Sequence, residues 1–305
     1  MFSLSVAFSL TNVNGIAIQS VTLSPTSAIG ANSTTANTVT LASAAPSSGA
    51  TITLTSSDAT VAAVPASVTV AAGSTVSPPF TITTAAVATS TSVTIKASDG
   101  ANTKGATLTV RPAALTAVRL SPGTVVGGRS TANNSATLNG QAPVGGAVVT
   151  LSSGDPTVAA VPASVMVPEG AAVSPVFTIS TTAVAAQTPA TISATYNGVT
   201  KTSTLTVDSP QLAALRLSPA NVTGGHSTTH NTVALNGPAP AGGAAVILTS
   251  GDPTVATPPV TVTVAAGATS AAFTITTTVV TTATVVPITA TFGGASIMAD
   301  VTVTP

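Results

Sequence analysis

The strongest constraint on this chain is one stretch of sequence that it contains three times. The stretch from Asp58 to Gly73 returns with few changes from Asp155 to Gly170 and again from Asp252 to Gly267. Successive copies begin 97 residues apart. Self-similarity at a fixed period indicates one structural unit repeated in tandem. The 305 residues are therefore expected to form three domains of about 97 residues, each large enough for its own core.

Composition and charge favour strands and exclude some partners. Hydrophobic residues make up 44% of the chain but aromatic residues only 2%, so Ala, Val and Thr dominate, and the last two favour strands. Seven basic and seven acidic residues cancel, whereas nucleic acids and anionic membranes attract a basic face. No apolar run approaches the roughly 18 residues of a membrane-spanning helix. Without cysteine, the chain has no disulfide, thiolate metal site or cysteine nucleophile.

The N-terminal segment predicts a lone strand ahead of the three repeats. Residues 2–10 alternate strictly between apolar and small side chains, and the apolar set is Phe2, Leu4, Val6, Phe8 and Leu10. Because a single strand cannot bury an apolar face by itself, two interpretations are open. The segment is a donor strand that adds to the sheet edge of a neighbouring subunit, or residues 1–11 are the last strand of an upstream module cut by a chain boundary.

Seven strand candidates follow one another within the first repeat. They are Ser20–Ser24, Thr38–Ala42, Ala50–Thr55, Ser67–Ala71, Phe80–Thr84, Ser92–Ala97 and Ala106–Val110. Short strands separated by turn residues at this spacing predict an antiparallel β-sandwich. The recurring Phe80, Phe177 and Phe273 are predicted to fill the three cores.

Turn and linker residues extend the prediction to the whole chain. Two-residue hairpin turns are expected at Asn197-Gly198 and Gly293-Gly294, and a turn one residue longer at Asp99-Gly100. The linkers at residues 111–114 and 208–211 each contain a proline, which should hold neighbouring sandwiches in line as a rod. The predicted arrangement is a strand arm at 1–14, followed by domains at 15–112, 113–210 and 211–305.

The recurring pattern also supports a resemblance to a known family. The pattern consists of Leu-Ser-Pro, then Ala-Val-Val-Thr-Leu-Ser-Ser-Gly-Asp-Pro-Thr-Val-Ala-Ala-Val-Pro-Ala-Ser-Val, then Phe-Thr-Ile and a closing Thr-Leu-Thr-Val. This pattern resembles the tandem bacterial Ig-like repeats of surface and secreted proteins. The resemblance covers residues 16–305. It implies three Ig-like sandwiches with a stalk, adhesin or filament role and no active site. The absence of a Cys pair and of Trp matches the fibronectin-like, cysteine-free side of that architecture.

Two sets of polar residues are candidate metal sites. His226 and His230 are four residues apart, a spacing that suggests a shared metal only on a helix, and their segment has no helical pattern; a solvated loop is the better interpretation. Asp58, Asp155 and Asp252 recur at one repeat position, but calcium prefers several carboxylates and no second acid lies nearby. A turn in which the Asp side chain accepts hydrogen bonds from the local backbone fits better.

Sparse charge predicts an assembly. Soluble domains carry roughly 25–35% charged residues on their surfaces, and this chain has 5% in total. We therefore expect a non-enzymatic structural subunit of an extracellular bacterial fibre or surface assembly, with copies of itself as partners and without a cofactor. The alternative is the stalk of an adhesin or an accessory, carbohydrate-binding region of a larger secreted protein. Glycans on the sequons Asn32-Ser-Thr34, Asn133-Asn-Ser135 and Asn221-Val-Thr223 stay open, since such matches also arise by chance.

Overall fold

The computed structural model describes residues 16–305, and over this range it consists of strands without a helix. The described strands form six sheets, which pair into three Ig-like sandwiches. No helix in this range could cross a membrane. The predicted strand of Phe2, Leu4, Val6, Phe8 and Leu10 lies outside the described residues. The domain bounds at 15–112, 113–210 and 211–305 stay a prediction.

The first sandwich contains nine strands. They are β1 (Ile18–Thr22), β2 (Ser27–Ile29), β3 (Ser33–Leu41), β4 (Ala50–Ser56), β5 (Ala62–Ala63), β6 (Ser67–Val70), β7 (Phe80–Thr84), β8 (Thr91–Ser98) and β9 (Thr103–Arg111). One sheet has the order β1-β3-β7-β5 and the other β2-β9-β8-β4-β6. All neighbouring strands are antiparallel except β2, which runs parallel to β9. The parallel edge was not predicted from the sequence.

The other two sandwiches repeat this strand order. The second contains β10 (Leu115–Arg119), β11 (Thr124–Val126), β12 (Ser130–Leu138), β13 (Ala147–Ser153), β14 (Ala159–Ala160), β15 (Ser164–Val167), β16 (Phe177–Thr181), β17 (Thr188–Tyr196) and β18 (Val199–Asp208). The third contains β19 (Leu212–Arg216), β20 (Asn221–Thr223), β21 (Ser227–Leu235), β22 (Ala244–Ser250), β23 (Ala256–Thr257), β24 (Thr261–Val264), β25 (Ser270–Thr277), β26 (Thr284–Phe292) and β27 (Ala295–Thr304). Each of these sandwiches, like the first, consists of one four-stranded and one five-stranded sheet.

Period-two alternation places the core of each sandwich. In β4, Ile52 and Leu54 are buried while Thr51, Thr53 and Thr55 point to solvent. Burying an aliphatic side chain of this size contributes roughly 1.5–3 kcal/mol, so one inward row per strand is enough to hold the two sheets together. The three recurring phenylalanines are buried, which confirms their predicted place in the cores: Phe80, Phe177 and Phe273.

Two strands of each sandwich escaped the sequence analysis because they are very short. In the first sandwich these are β2, with three residues, and β5, with two. Such lengths cannot display a period of two, which takes at least four positions to recognise. The order is also unexpected, since the chain crosses from β4 to β5 in the opposite sheet and returns through β6 before entering β7.

The hairpin turns confirm two predictions and correct a third. Tyr196 pairs with Val199, and Phe292 pairs with Ala295, so both turns contain two residues. Asn197 and Gly198 have φ of 47° and 74°, as a type I′ turn requires. The first sandwich differs more than predicted. Its hairpin closes at the pair Ser98–Thr103, so the loop is longer than the two-residue turns by two residues rather than one.

Candidate interaction surfaces

The three recurring aspartates form one turn. Oδ1 of Asp58 accepts hydrogen bonds from the Thr60 hydroxyl at 2.6 Å and from the backbone N–H of Thr60 at 3.0 Å and Val61 at 3.2 Å. The hydroxyl bond is the largest cause of the lowered pKa of Asp58, and backbone N–H groups lower it further. Asp155 and Asp252 have the same partners at the equivalent positions and the same direction of pKa change. The predicted turn is confirmed.

In the described part of the chain, the two histidines do not join other side chains in a group that could bind a metal. His226 and His230 are exposed, and His230 lies in strand β21, where a loop was predicted for both residues. The carbonyl oxygen of His226 accepts hydrogen bonds from the N–H and hydroxyl of Thr277. Among residues 16–305, no three His, Cys, Asp or Glu side chains form a group that could hold a metal.

A fully buried asparagine recurs in every sandwich, and the sequence analysis missed it. Nδ2 of Asn37 donates to the carbonyl oxygen of Thr34 at 2.9 Å, to its hydroxyl at 2.9 Å and to the carbonyl oxygen of Phe80 at 3.0 Å. Oδ1 accepts from the N–H of Ser24. Asn134 and Asn231 repeat the arrangement. Its signal was available, because an Asn stands three residues after a Thr in every copy of the repeat.

The sequons differ in accessibility. Asn133 and Asn221 are exposed. Asn32 is exposed as well, but its Nδ2 donates to the carbonyl oxygen of Ile29 and its sequon partner Thr34 is buried. The first sequon is therefore the least suited of the three to receive a glycan.

A polar pocket within the described residues has few groups for catalysis. It is lined by Val126, Gln187, Asp208, Ser209, Gln211 and Asn236. Nε2 of Gln187 donates to Oδ1 of Asp208 at 2.7 Å. Asp208 is the single titratable side chain of this lining, and one carboxylate supplies no acid–base pair.

An apolar groove opens in the first sandwich between β5 and β6, the edge strands of its two sheets. Its lining is Ala63, Val64, Pro65, Ser67, Val68, Pro79, Phe80, Thr81 and Thr83. Strand β5 pairs with β7 only through Thr83 and Thr84. The remainder of β7 and the outer side of β6 are sheet edges, and edges are where an additional strand can pair.

The second sandwich exposes large apolar side chains at two repeat positions where the other sandwiches have alanine or threonine. Val148 is 58% exposed and Met166 is 52% exposed. The first sandwich has the cross-strand pair Thr51–Thr69 at these repeat positions, and the third has Ala245 with Thr263. The second sandwich adds Val144, 84% exposed, at the neighbouring turn. Exposed apolar clusters of this kind are typical of contact surfaces.

Comparison with known proteins gives structural likeness only. No protein-family model and no curated protein matches the sequence. Similar solved structures include domains 4 and 5 of the S-layer protein SbsC, 18% identical with a TM-score of 0.29, covering 63% of this chain and 100% of that one. Invasin, a bacterial integrin-binding protein, is 16% identical with a TM-score of 0.42 over 91% of this chain and 58% of its own. Since both TM-scores are low, the Ig-like assignment rests on the strand order.

Proposed function

We propose that this chain is a structural subunit of an extracellular bacterial fibre or surface assembly. The observation that carries the proposal is the sparse charge of the chain, 5% charged residues with a formal net charge of zero. Charge repulsion is what keeps soluble domains apart. Without it, the threonine-covered faces of the sandwiches can approach those of another copy at little electrostatic cost.

The apolar pair of the second sandwich supports a contact between copies. Met166 lies beside Gly146, where an added Cβ would lie 3.2 Å from Cγ of Met166. The Met side chain therefore covers the glycine and raises the apolar content of this sheet edge. Burial of the pair against another copy would contribute on the order of 25 cal/mol for each Å² of apolar surface removed from water.

The strand arm at residues 1–14 offers a second contact. Its alternating apolar side chains, Phe2, Leu4, Val6, Phe8 and Leu10, match the needs of a strand that adds to a sheet edge with one face inward. The groove between β5 and β6 of another copy is the acceptor that we propose. There the β6 edge would supply main-chain hydrogen bonds, and Val64, Val68 and Phe80 would receive the apolar face.

Electron microscopy of the native material is the direct test. A filament or a regular layer supports the proposal, whereas an isolated tethered stalk would favour the adhesin or accessory-region alternative and overturn it. Deleting residues 1–11 then tests the arm separately. Loss of polymer with retained folding supports strand addition; unchanged polymer rejects the arm and leaves the sandwich surfaces as the contacts.

The exchange of single arm residues gives a matched control. Val6→Ser and Phe8→Ser alter the apolar face, and we expect them to prevent assembly. Ser5→Thr and Ser9→Thr alter the other face by one methyl group each and should leave assembly intact. Equal effects of both pairs would show that the arm does not act as a one-sided strand.

A further inference from the structure

The Asp turns of the second and third sandwiches contain a bond that the first lacks. Asp155 is followed by Pro156 and Asp252 by Pro253, whereas Asp58 is followed by alanine. In all three turns the carboxylate accepts hydrogen bonds from the hydroxyl and the backbone N–H of the threonine two residues later. The chain therefore presents the same local geometry with and without an Asp–Pro peptide bond.

An Asp–Pro bond has a route to cleavage by its own side chain. A carboxylate oxygen attacks the backbone carbonyl carbon of the same aspartate and closes a five-membered cyclic anhydride. The bond between that carbon and the proline nitrogen breaks, and the nitrogen takes a proton from the solvent and leaves as a secondary amine. Water then opens the anhydride and restores the aspartate with a free α-carboxylate. The net reaction consumes one water molecule and needs no other reactant.

The turn places donors at the atom where negative charge develops in this reaction. The carbonyl oxygen of Asp155 accepts hydrogen bonds from the N–H of Val158 at 3.2 Å and of Ala159 at 3.0 Å. The carbonyl oxygen of Asp252 has the equivalent two donors at 3.2 and 3.1 Å. Preorganised N–H pairs of this kind stabilise the oxyanion of a tetrahedral intermediate.

The hydrogen bonds of the turn favour the ionised form of the Asp155 carboxylate and also restrain its orientation. Hydrogen bonds from Thr157, its hydroxyl first, lower the pKa of Asp155, so the nucleophilic form persists at pH values at which protons for the leaving nitrogen are abundant. The same hydroxyl lies 2.6 Å from Oδ1 and directs that oxygen toward the following residues. Releasing this bond would free the carboxylate to turn toward its own carbonyl carbon.

We propose that Asp155–Pro156 and Asp252–Pro253 are self-cleavage sites that act in mild acid and that the threonine two residues after each aspartate restrains them. The reaction would shorten the array at the second and third sandwiches in response to acidification. The proposal does not depend on the assembly role above. Each site needs only its own turn.

The test is incubation of the folded full chain at a pH of about 4.5 and at neutral pH. Denaturing gels and mass spectrometry should show cuts after Asp155 and Asp252 in acid, with new chains that begin at proline. The Asp58–Ala59 bond should stay intact. Cleavage after all three aspartates, or after neither Asp155 nor Asp252, would overturn the proposal.

Variants separate the turn from ordinary acid lability. Pro156→Ala should abolish the first cut alone, and Ala59→Pro should create a cut after Asp58. Thr157→Val should speed cleavage after Asp155 about tenfold, as expected for losing a hydrogen bond to a charged group, while Thr157→Ser restores the slow rate. Cleavage after Asp252 serves as the internal control in each variant.

Unfolding provides the decisive control. The same acid incubation is carried out on the Thr157→Val chain, folded and in concentrated urea, so that the threonine restraint is absent from both samples and unfolding removes only the N–H pair beside the Asp155–Pro156 bond. The proposal requires cleavage in the folded chain to be faster than in the unfolded chain. Equal or faster cleavage in urea would show that the turn gives the reaction no help.

Discussion

The side-chain amide of Asn134 donates a hydrogen bond to the backbone carbonyl oxygen of Phe177 across 2.9 Å, at the point where the register between β12 and β16 shifts. A register shift interrupts the ladder of backbone hydrogen bonds, and buried backbone groups that lose their partners cost free energy. The same amide also donates to the carbonyl oxygen and hydroxyl of Thr131. One side chain thus replaces the missing backbone partners on both strands.

Removing this amide should destabilise the second sandwich strongly. Asn134→Ala leaves the carbonyl oxygens of Thr131 and Phe177 without their donor in a fully buried site, so we expect a loss of about 2 to 4 kcal/mol in the free energy of unfolding. Urea unfolding of the full chain measures the loss, and hydrogen exchange locates it in β12 and β16. The adjacent Asn133 is exposed, and Asn133→Ala should change the free energy by less than about 0.5 kcal/mol.

A glycine with positive φ gives a second stability prediction. Gly198 has φ of 74° and open space around the position of a Cβ, so Gly198→Ala would be penalised by backbone conformation alone. The expected cost is about 1 to 2 kcal/mol. Gly123 is equally open but has no positive φ. Gly123→Ala should be neutral or stabilise by up to about 1 kcal/mol, and a comparable loss at both positions would contradict the argument.

Acid should weaken the first sandwich through its Asp turn. The pKa of Asp58 is lower in the folded chain than in the unfolded one, chiefly because the Thr60 hydroxyl donates to it. The turn therefore stabilises the fold fully above the unfolded pKa of about 4 and loses that contribution as pH falls through the lower folded value. The midpoint of urea unfolding should decrease below a pH of about 4. In Thr60→Val this decrease should be smaller. If the midpoint falls with pH as steeply as in the unchanged chain, Asp58 is not the source of the decrease.

The sequence predicted the architecture better than the details of the sheets because repetition and alternation are properties of whole strands. Strand β7 was predicted with its observed bounds, Phe80–Thr84. The strands β2 and β5 were missed because tertiary pairing, rather than a local pattern, defines such short segments. Alternation could not predict the burial of Asn134 either, because a polar residue at an inward position usually argues against a strand. Only the recurrence of this asparagine in every repeat indicates a structural role.

The interaction surfaces were hardest to predict, since exposure depends on which residues the fold brings together. Val148 and Met166 lie on two strands that the Asp turn separates in the sequence. Valine and methionine are also common in protein cores, so residue type did not reveal that these two side chains are exposed. The groove between β5 and β6 likewise depends on the unpredicted crossing of the chain. By contrast, the Asp turns were predicted correctly because all their hydrogen bonds are local in sequence.

The apolar pair of the second sandwich gives the most specific prediction for assembly. Val148→Thr combined with Met166→Thr installs the residues that the first sandwich has at these positions, Thr51 and Thr69, whose pairing the fold already accommodates. We expect normal stability but self-association weakened at least about tenfold, because burying even one such side chain contributes roughly 1.5–3 kcal/mol. Sedimentation velocity across a concentration series measures the change.

The reciprocal exchange completes this test. Thr51→Val with Thr69→Met gives the first sandwich the same exposed pair as the second, and it should strengthen self-association if apolar area drives the contact. If the first exchange weakens association and the second leaves it unchanged, the contact depends on the surroundings of Val148 and Met166, including Val144. If neither exchange changes association, this face does not contact another copy, and uncharged threonine faces or the strand arm must supply the contacts.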